Sequence, residues 1–184
     1  KKEDILSGND FCSQCFMSKT LCICKGVKDL FAASKDRLPK ANLKVFMHYK
    51  EWGRSSNTGK LITTGMESQS SLRMFGVKED QETLAAELCA SPSIILYPGE
   101  HASSITDFQE WYKNTPSPTV CVIDSTWSQS HTMNRTLPDH IPRVKVDDFI
   151  LSASQFLNRK QSTPSKVSTI EAVALALKAL GEDE

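Results

Sequence analysis

The chain alternates short apolar runs with longer amphipathic segments, and this alternation constrains its fold more than any other feature. Strand-like apolar runs cover residues 43–49, 93–97, 119–123 and 143–146. Helical patterns cover residues 80–90, 106–113, 126–135 and 168–180. Strands that alternate with helices in this way form a mostly parallel sheet with helices on its faces. The sequence therefore predicts an α/β domain.

Two of the predicted helices begin with a recognisable capping signal. Thr126 is followed three residues later by Gln129, and Ser168 is followed three residues later by Glu171. In both pairs the first side chain can accept from the backbone of the first turn while the second reaches back to the cap. Gly181 follows the Ala-rich C-terminal pattern and predicts the end of that helix.

Composition and charge limit the classes of function that need to be considered. The 184 residues suffice for one domain with a small appendage, and no apolar run approaches the ~20 residues of a membrane span. Residues 1–60 carry 12 Lys and Arg against 6 Asp and Glu, whereas residues 61–142 carry 4 against 10. A basic N-terminal third suits a polyanion such as RNA, although a solvated lysine-rich surface explains the same composition. The Gly-rich phosphate-binding signatures of dinucleotide and nucleoside triphosphate sites are absent from the sequence.

Four of the six cysteines fall within 13 residues near the N-terminus: Cys12, Cys15, Cys22 and Cys24. Four thiolates at paired short spacings predict a closed, structural zinc site, with disulfides or unrelated thiols as the alternatives. We therefore expect a zinc-binding module over residues 1–40 and the α/β domain over residues 41–184. Cys89 and Cys121 lie in apolar segments and are expected in the core.

Polar strings follow the predicted strands, and the most unusual is Asp124-Ser125-Thr126-Trp127. Ligands of open α/β folds bind at the carboxyl edge of the sheet. A string that directly follows a strand lies at this edge. Similar strings are Asn57-Thr58-Gly59, Leu96-Tyr97-Pro98-Gly99 and Ser168-Thr169. Each has a simpler explanation on its own, namely helix capping, a tight turn, or packing of Trp127 in the core. Their combination predicts one ligand site.

Together these strings resemble the DTW-domain family. The matching segments, in family order, are Cys12-x2-Cys15 with Cys22-x-Cys24, Glu51 with Asn57-Thr58-Gly59, Leu96-Tyr97-Pro98-Gly99-Glu100, Asp124-x-Thr126-Trp127 and Ser168-Thr169-x-Glu171-Ala172. Tyr49 and Tyr97 stand where the family pattern has Pro and Phe. The resemblance implies a SPOUT-like fold with a C-terminal knot. It also implies a tRNA-uridine aminocarboxypropyltransferase, which moves the 3-amino-3-carboxypropyl group of S-adenosylmethionine to N3 of a tRNA uridine and releases methylthioadenosine.

The resemblance also suggests roles for individual residues. The expected catalytic residues are Asp124, Thr126 and Trp127, with Asp124 either as the base for N3 or as the anchor of the donor's amino group. The expected donor-binding residues are Asn57, Thr58, Leu96, Tyr97, Pro98, Gly99, Thr126, Trp127, Ser168 and Thr169. Candidates for RNA phosphates are Arg54, Lys60, Arg159 and Lys160, although for any one of them a solvated surface position is the favoured explanation.

Two other functions remain open at this point. One is a methyltransferase of the knotted class, which would release S-adenosylhomocysteine. The other is a zinc-stabilised RNA-binding module without catalysis. In all three cases we expect tRNA or another RNA as the partner, no membrane association, and a cytoplasmic or nuclear location.

Overall fold

The computed structural model describes residues 5, 7–8, 10–34, 39–147 and 167–182. Its helices are α1 (Cys24–Ala33), α2 (Gly59–Gly65), α3 (Lys78–Ala90), α4 (Gln109–Asn114), α5 (Trp127–Asn134) and α6 (Thr169–Ala179). Its strands are β1 (Asn42–His48), β2 (Ser70–Phe75), β3 (Ser93–Leu96), β4 (Ser103–Ser104), β5 (Thr119–Asp124) and β6 (Arg143–Lys145). Short 3-10 turns cover Lys19–Leu21 and Ile105–Phe108.

The strands form one six-stranded sheet in the order β2-β1-β5-β3-β6-β4, and every strand pair is parallel. The α/β prediction is therefore confirmed. Because all strands run in one direction, the loops that follow them emerge at the same edge. Strand β5 lies between β1 and β3, so Asp124 and the residues that follow it lie at the middle of that edge.

Helices cover both faces of the sheet, as the apolar character of the central strands requires. On one face α2, α4 and α6 contribute Ile62, Tyr112 and Val173 to a core with the inward side chains of the strands. On the other face α3 and α5 contribute Leu84, Leu88 and Met133. Within the described ranges, no helix is long and apolar enough to cross a membrane.

Several expectations about local structure are confirmed and others need correction. Both capping boxes are present, and α6 ends just before Gly181. The predicted helix at 106–113 is instead a 3-10 turn followed by the short α4. Strand β2 carries Ser70, Ser71 and Arg73 at the edge of the sheet, and its polarity hid it from a search for apolar runs. The prediction for Cys89 is wrong, because Leu88 takes the inward position of α3 and Cys89 is exposed; Cys121 is buried as expected.

Candidate functional site

A cavity of about 460 Å³ opens at the carboxyl edge of the sheet, around the ends of β3, β5 and β6. The first turns of α5 and α6 complete its walls. Its lining is mostly apolar with a few hydroxyl groups, and its volume falls in the ~300–1,000 Å³ range of small-molecule sites. The lining residues are Leu96, Tyr97, Pro98, Val122, Ile123, Ser125, Trp127, Ser130, Val144, Lys145, Val146, Val167, Thr169 and Ala172.

Half of the predicted donor-binding residues lie on the wall of this cavity. These are Leu96, Tyr97, Pro98, Trp127 and Thr169. The other half adjoin the wall instead of forming it, and they are Asn57, Thr58, Gly99, Thr126 and Ser168. The structure therefore brings the ends of β3 and β5 and the start of α6 together around one space. In the loop after β1, Asn57 and Thr58 contact Asp124 and Ile170 and do not line the cavity.

Trp127 is the most exposed large aromatic residue among those lining the cavity, with 51% of its surface accessible. The alternative that it packs in the core is therefore wrong. Thr126 caps α5 in a reciprocal box with Gln129, and its backbone N–H donates to Gln129 Oε1 at 3.0 Å. This cap fixes the start of α5, so the indole projects from a rigid first turn toward the cavity.

Asp124 joins three elements through its carboxylate, which is only 4% exposed. Asn57 Nδ2 donates to Oδ2 at 2.5 Å, and Thr169 Oγ1 donates to Oδ1 at 2.6 Å. A further bond links the same elements, since Ile170 N–H donates to Thr58 Oγ1 at 3.4 Å. The end of β5, the entry to α2 and the first turn of α6 are thus held together behind the cavity.

The close approach of α2 to Asp124 depends on glycine. A Cβ atom at Gly59 would lie 2.5 Å from Asp124 Oδ2 and 2.8 Å from its Cγ. Real Cβ atoms do not tolerate such distances, so any larger residue would displace the carboxylate. Gly59 of the predicted Asn57-Thr58-Gly59 string is therefore required for packing against Asp124.

Several wall residues had no signal in the sequence analysis. Ser125 lines the cavity just before the α5 cap, Ser130 lines it from within α5, and Lys145 lines it from the end of β6. Ser125 lies within the Asp124-Ser125-Thr126-Trp127 string, but the family resemblance suggests no role for it. Ser130 and Lys145 occur in ordinary polar surroundings, and only the strand order of β3, β6 and β4 reveals that Lys145 reaches this edge.

The loop after β1 corrects one prediction about RNA contacts. Lys60 is 2% exposed, and its ammonium donates to the carbonyl oxygens of Ser55 at 2.7 Å and Arg54 at 3.0 Å. A phosphate on the surface cannot reach it, so the expectation for Lys60 is wrong. Arg54 keeps 55% of its side chain accessible and forms an ion pair with Glu51. Arg159 and Lys160 lie outside the described residues.

The four N-terminal cysteines converge on one point, with their sulfur atoms all within 4.8 Å of one another. Cys12 Sγ and Cys24 Sγ are 3.6 Å apart, and Cys15 Sγ and Cys22 Sγ are 3.8 Å apart. A disulfide needs about 2.05 Å, and no cysteine is bridged. A tetrahedron with Zn–S bonds of about 2.3 Å has sulfur atoms about 3.8 Å apart. The cluster therefore fits a tetrahedral zinc site.

The thiols of this cluster differ in pKa, and an aromatic contact attaches the cluster to the domain. Burial alone would raise the pKa of Cys12, but hydrogen bonds from the backbone of Cys15 and Gln14 outweigh it and lower the pKa to about 6. Burial and hydrogen bonds with the other cysteines raise the pKa of Cys24. A metal binds the thiolate, so it would have to stabilise that form at Cys24. Phe16 adopts a left-handed φ of 58° directly after Cys15, and its ring lies 5.3 Å from that of Trp52. This contact docks the cysteine turn on the loop after β1.

Comparison with known proteins supports the resemblance that the sequence strings suggested. The model of the DTW domain matches residues 9–184. Two curated relatives, from Macaca fascicularis and Mus musculus, are named tRNA-uridine aminocarboxypropyltransferase 2 and are 27% and 26% identical over 92% of this chain. The chain spans 56% of the length of each of them. No solved structure matches. Because the family model covers nearly the whole sequence, the chain belongs to the DTW-domain family.

Proposed function

We propose that the chain transfers the 3-amino-3-carboxypropyl group of S-adenosylmethionine to N3 of a uridine in tRNA. The observation that carries this proposal is the cavity at the carboxyl edge, whose wall includes Trp127 and Thr169 from the strings that mark the family. The names of the curated relatives supply the reaction class and the tRNA substrate. Such an activity implies a cytoplasmic or nuclear location.

The cavity wall suggests how the donor would be held. The apolar ends of β3, β5 and β6 suit the adenosyl group, and the exposed indole of Trp127 offers a flat surface for stacking. The wall residues Ser125, Thr169 and Lys145 carry polar side chains that suit the polar part of the donor. The Thr169 hydroxyl donates its proton to Asp124, so it would act toward the donor as an acceptor. Asn57, Thr58, Gly99, Thr126 and Ser168 would act by fixing the positions of these wall residues.

The reaction depends mainly on alignment. Uridine N3 attacks the Cγ carbon of the methionine part, the bond from that carbon to sulfur breaks, and the electron pair stays on sulfur in neutral methylthioadenosine. Since this leaving group needs no protonation, the protein has to present Cγ and not the methyl carbon to the RNA. Holding two reactants in line is worth up to about 7–11 kcal/mol of the barrier.

For Asp124 we favour a positioning role over that of the base. Both of its oxygens accept a hydrogen bond, from Asn57 and from Thr169, and the group is 4% exposed. Thr169 is itself part of the wall. Asp124 would therefore set the wall through Thr169 and leave proton transfer to another group.

Two further parts of the proposal concern the fold. Zinc in the Cys12, Cys15, Cys22 and Cys24 cluster would be structural, because four protein ligands leave no open position for substrate. The cluster would then form the core of the module over residues 1–40. The SPOUT-like knot stays a prediction, since the chain between Asp147 and Val167 lies outside the described residues.

The test uses tRNA from cells that lack the modification and donor labelled in the aminocarboxypropyl chain. We expect label in the tRNA and methylthioadenosine as the nucleoside product. S-adenosylhomocysteine with unlabelled tRNA would instead indicate a methyltransferase. RNA binding that is indifferent to the donor, with neither product, would indicate a binding module and refute the proposal.

A further inference from the structure

Among the described residues that line the cavity, Lys145 is the one with a charged side chain. The others are apolar or neutral polar groups. We propose that Lys145 binds the carboxylate of the aminocarboxypropyl group and so determines which side of the cavity the reacting carbon chain occupies. This inference rests on the proposed function and assigns one end of the donor to one residue of the wall.

The side of the cavity on which Lys145 lies follows from the alternation of side chains along β6. Val144 is fully buried in the core that α2, α4 and α6 form with the sheet. Arg143 and Lys145 therefore lie on the opposite face, because successive side chains of a strand point to opposite faces. The contacts of Arg143 support this direction, since its Nε donates to Asn134 Oδ1 at 3.0 Å at the end of α5. Lys145 thus lies on the α5 face of the sheet, two residues closer to the carboxyl edge.

The strand order places Lys145 and Trp127 on two sides of the cavity. Trp127 follows β5, Lys145 is the last residue of β6, and β3 lies between these two strands. Neighbouring strands are about 4.8 Å apart, so the ends of β5 and β6 are separated by about 10 Å. An extended S-adenosylmethionine spans such a distance, with its adenine stacked on the indole and its carboxylate at Lys145. Its sulfonium then lies near the end of β3.

The charges around the cavity favour an anion at Lys145. The ion pairs of the described residues join other side chains, and none of them involves Lys145. Asp147, the nearest acid along the chain, accepts from Ser104 Oγ at 2.6 Å and is not on the wall. A mostly apolar wall strengthens the attraction between an ammonium and a carboxylate relative to open water. The amino group and the sulfonium of the donor are cations, so the carboxylate is the part that Lys145 attracts.

Holding the carboxylate also affects which carbon of the donor meets the RNA. Cγ lies on the chain between the sulfonium and the carboxylate, whereas the methyl carbon is a branch at sulfur. When the adenosyl group and the carboxylate are both held, rotation about the bonds to sulfur is restricted and Cγ keeps one orientation toward uridine N3. Lys145 would therefore act in binding and orienting the donor.

The test compares ligands with and without the carboxylate. Decarboxylated S-adenosylmethionine retains the adenosyl group, the sulfonium and the amine and lacks only the carboxylate. Lys145→Met keeps the length of the side chain and removes its charge, whereas Lys145→Arg keeps the charge. Lys113→Met is the matched control, because Lys113 is an exposed lysine on α4 and away from the cavity wall. The affinity of each chain for each ligand is measured by calorimetry.

We expect Lys145→Met to weaken the binding of S-adenosylmethionine roughly 10-fold, which is the low end for a hydrogen bond to a charged group, because Lys145 is exposed to water. The same variant should bind decarboxylated S-adenosylmethionine at least as well as the parent chain does, since that ligand offers only cations to Lys145. Lys145→Arg should retain most of the affinity for S-adenosylmethionine, and Lys113→Met should match the parent chain with both ligands.

Three results would overturn the assignment of Lys145. Equal losses of affinity for both ligands would indicate that Lys145 acts through packing, and unchanged affinity for both would show that the carboxylate binds elsewhere. A loss of tRNA affinity with unchanged donor affinity would indicate a contact with an RNA phosphate.

The same measurements separate this inference from the proposed function. A parent chain that shows the expected pattern of affinities but transfers no label to tRNA would refute the transfer reaction and support the carboxylate site. A parent chain that does not bind S-adenosylmethionine would remove the proposed function and this inference together.

Discussion

The substitution Asp124→Asn tests whether this residue holds the site together. Its two oxygens accept from Asn57 Nδ2 at 2.5 Å and from Thr169 Oγ1 at 2.6 Å, in a group that is 4% exposed. An asparagine has the same shape but only one oxygen. If that oxygen stays with Thr169 Oγ1, the new NH₂ group faces Asn57 Nδ2 and the two donors cannot bond to each other. If it stays with Asn57 Nδ2, the Thr169 hydroxyl has to turn and accept from the NH₂ group. In both cases the bonds to a negative charge are lost.

The expected cost follows from these contacts. Each bond to a buried carboxylate is worth about 1.5–3 kcal/mol, whereas a bond between neutral groups is worth about 0.5–1.5 kcal/mol. Relief from burying a charge offsets part of this loss. We therefore expect the free energy of unfolding to fall by about 1–2 kcal/mol. With a urea m-value of roughly 2–3 kcal/mol/M, the unfolding midpoint falls by about 0.5 M.

The measurement is equilibrium urea unfolding followed by circular dichroism, with Asp139→Asn as the control at an exposed aspartate. The double variant with Thr169→Val adds a stricter criterion. In the parent chain Thr169→Val should cost about 1–2 kcal/mol, whereas in the Asp124→Asn background its cost should be clearly smaller. A midpoint change below about 0.3 M, together with additive costs, would refute the view that Asp124 pins α6 to β5.

Three further outcomes follow from the geometry. Gly59→Ala should destabilise the chain by about 1–3 kcal/mol, because its Cβ would overlap the carboxylate of Asp124; unchanged thermal unfolding would contradict this. Burial opposes a low pKa for Glu87, but its ion pairs with Arg73 and Lys44 lower that pKa below the ordinary value of 4.5. The ion pairs therefore stabilise the fold fully above pH 4.5, and this stabilisation is lost as the pH falls through the lowered pKa of the folded protein. Glu87→Gln should therefore flatten the acid side of the stability profile, and an unchanged slope between pH 5 and pH 3 would argue against the ion pairs. Pure protein should contain about one equivalent of zinc, and a strong chelator should make four further thiols reactive; less than about half an equivalent in reduced protein would exclude a zinc site.

The local sequence was informative wherever a short-range rule acts. Apolar runs located β1, β3, β5 and β6, and both capping boxes marked the true starts of α5 and α6. The spacing of the four cysteines predicted a cluster that the sulfur distances support. Where packing against the rest of the chain decides, as for the polar edge strand β2 and the outward-facing Cys89, pattern reasoning failed.

The sequence by itself determined the class of fold, the positions of β1, β3, β5 and β6 and the strings that belong to the site, because apolar periodicity, helix caps and cysteine spacing act over a few residues. Tertiary structure decided which of these strings face the cavity. The insertion of β5 between β1 and β3 brings Asp124 against Asn57 and Thr169, and α5 sets His131 beside Tyr97. These neighbours are tens of residues apart in the chain, so their contact depends on strand order and helix packing, which no local pattern encodes.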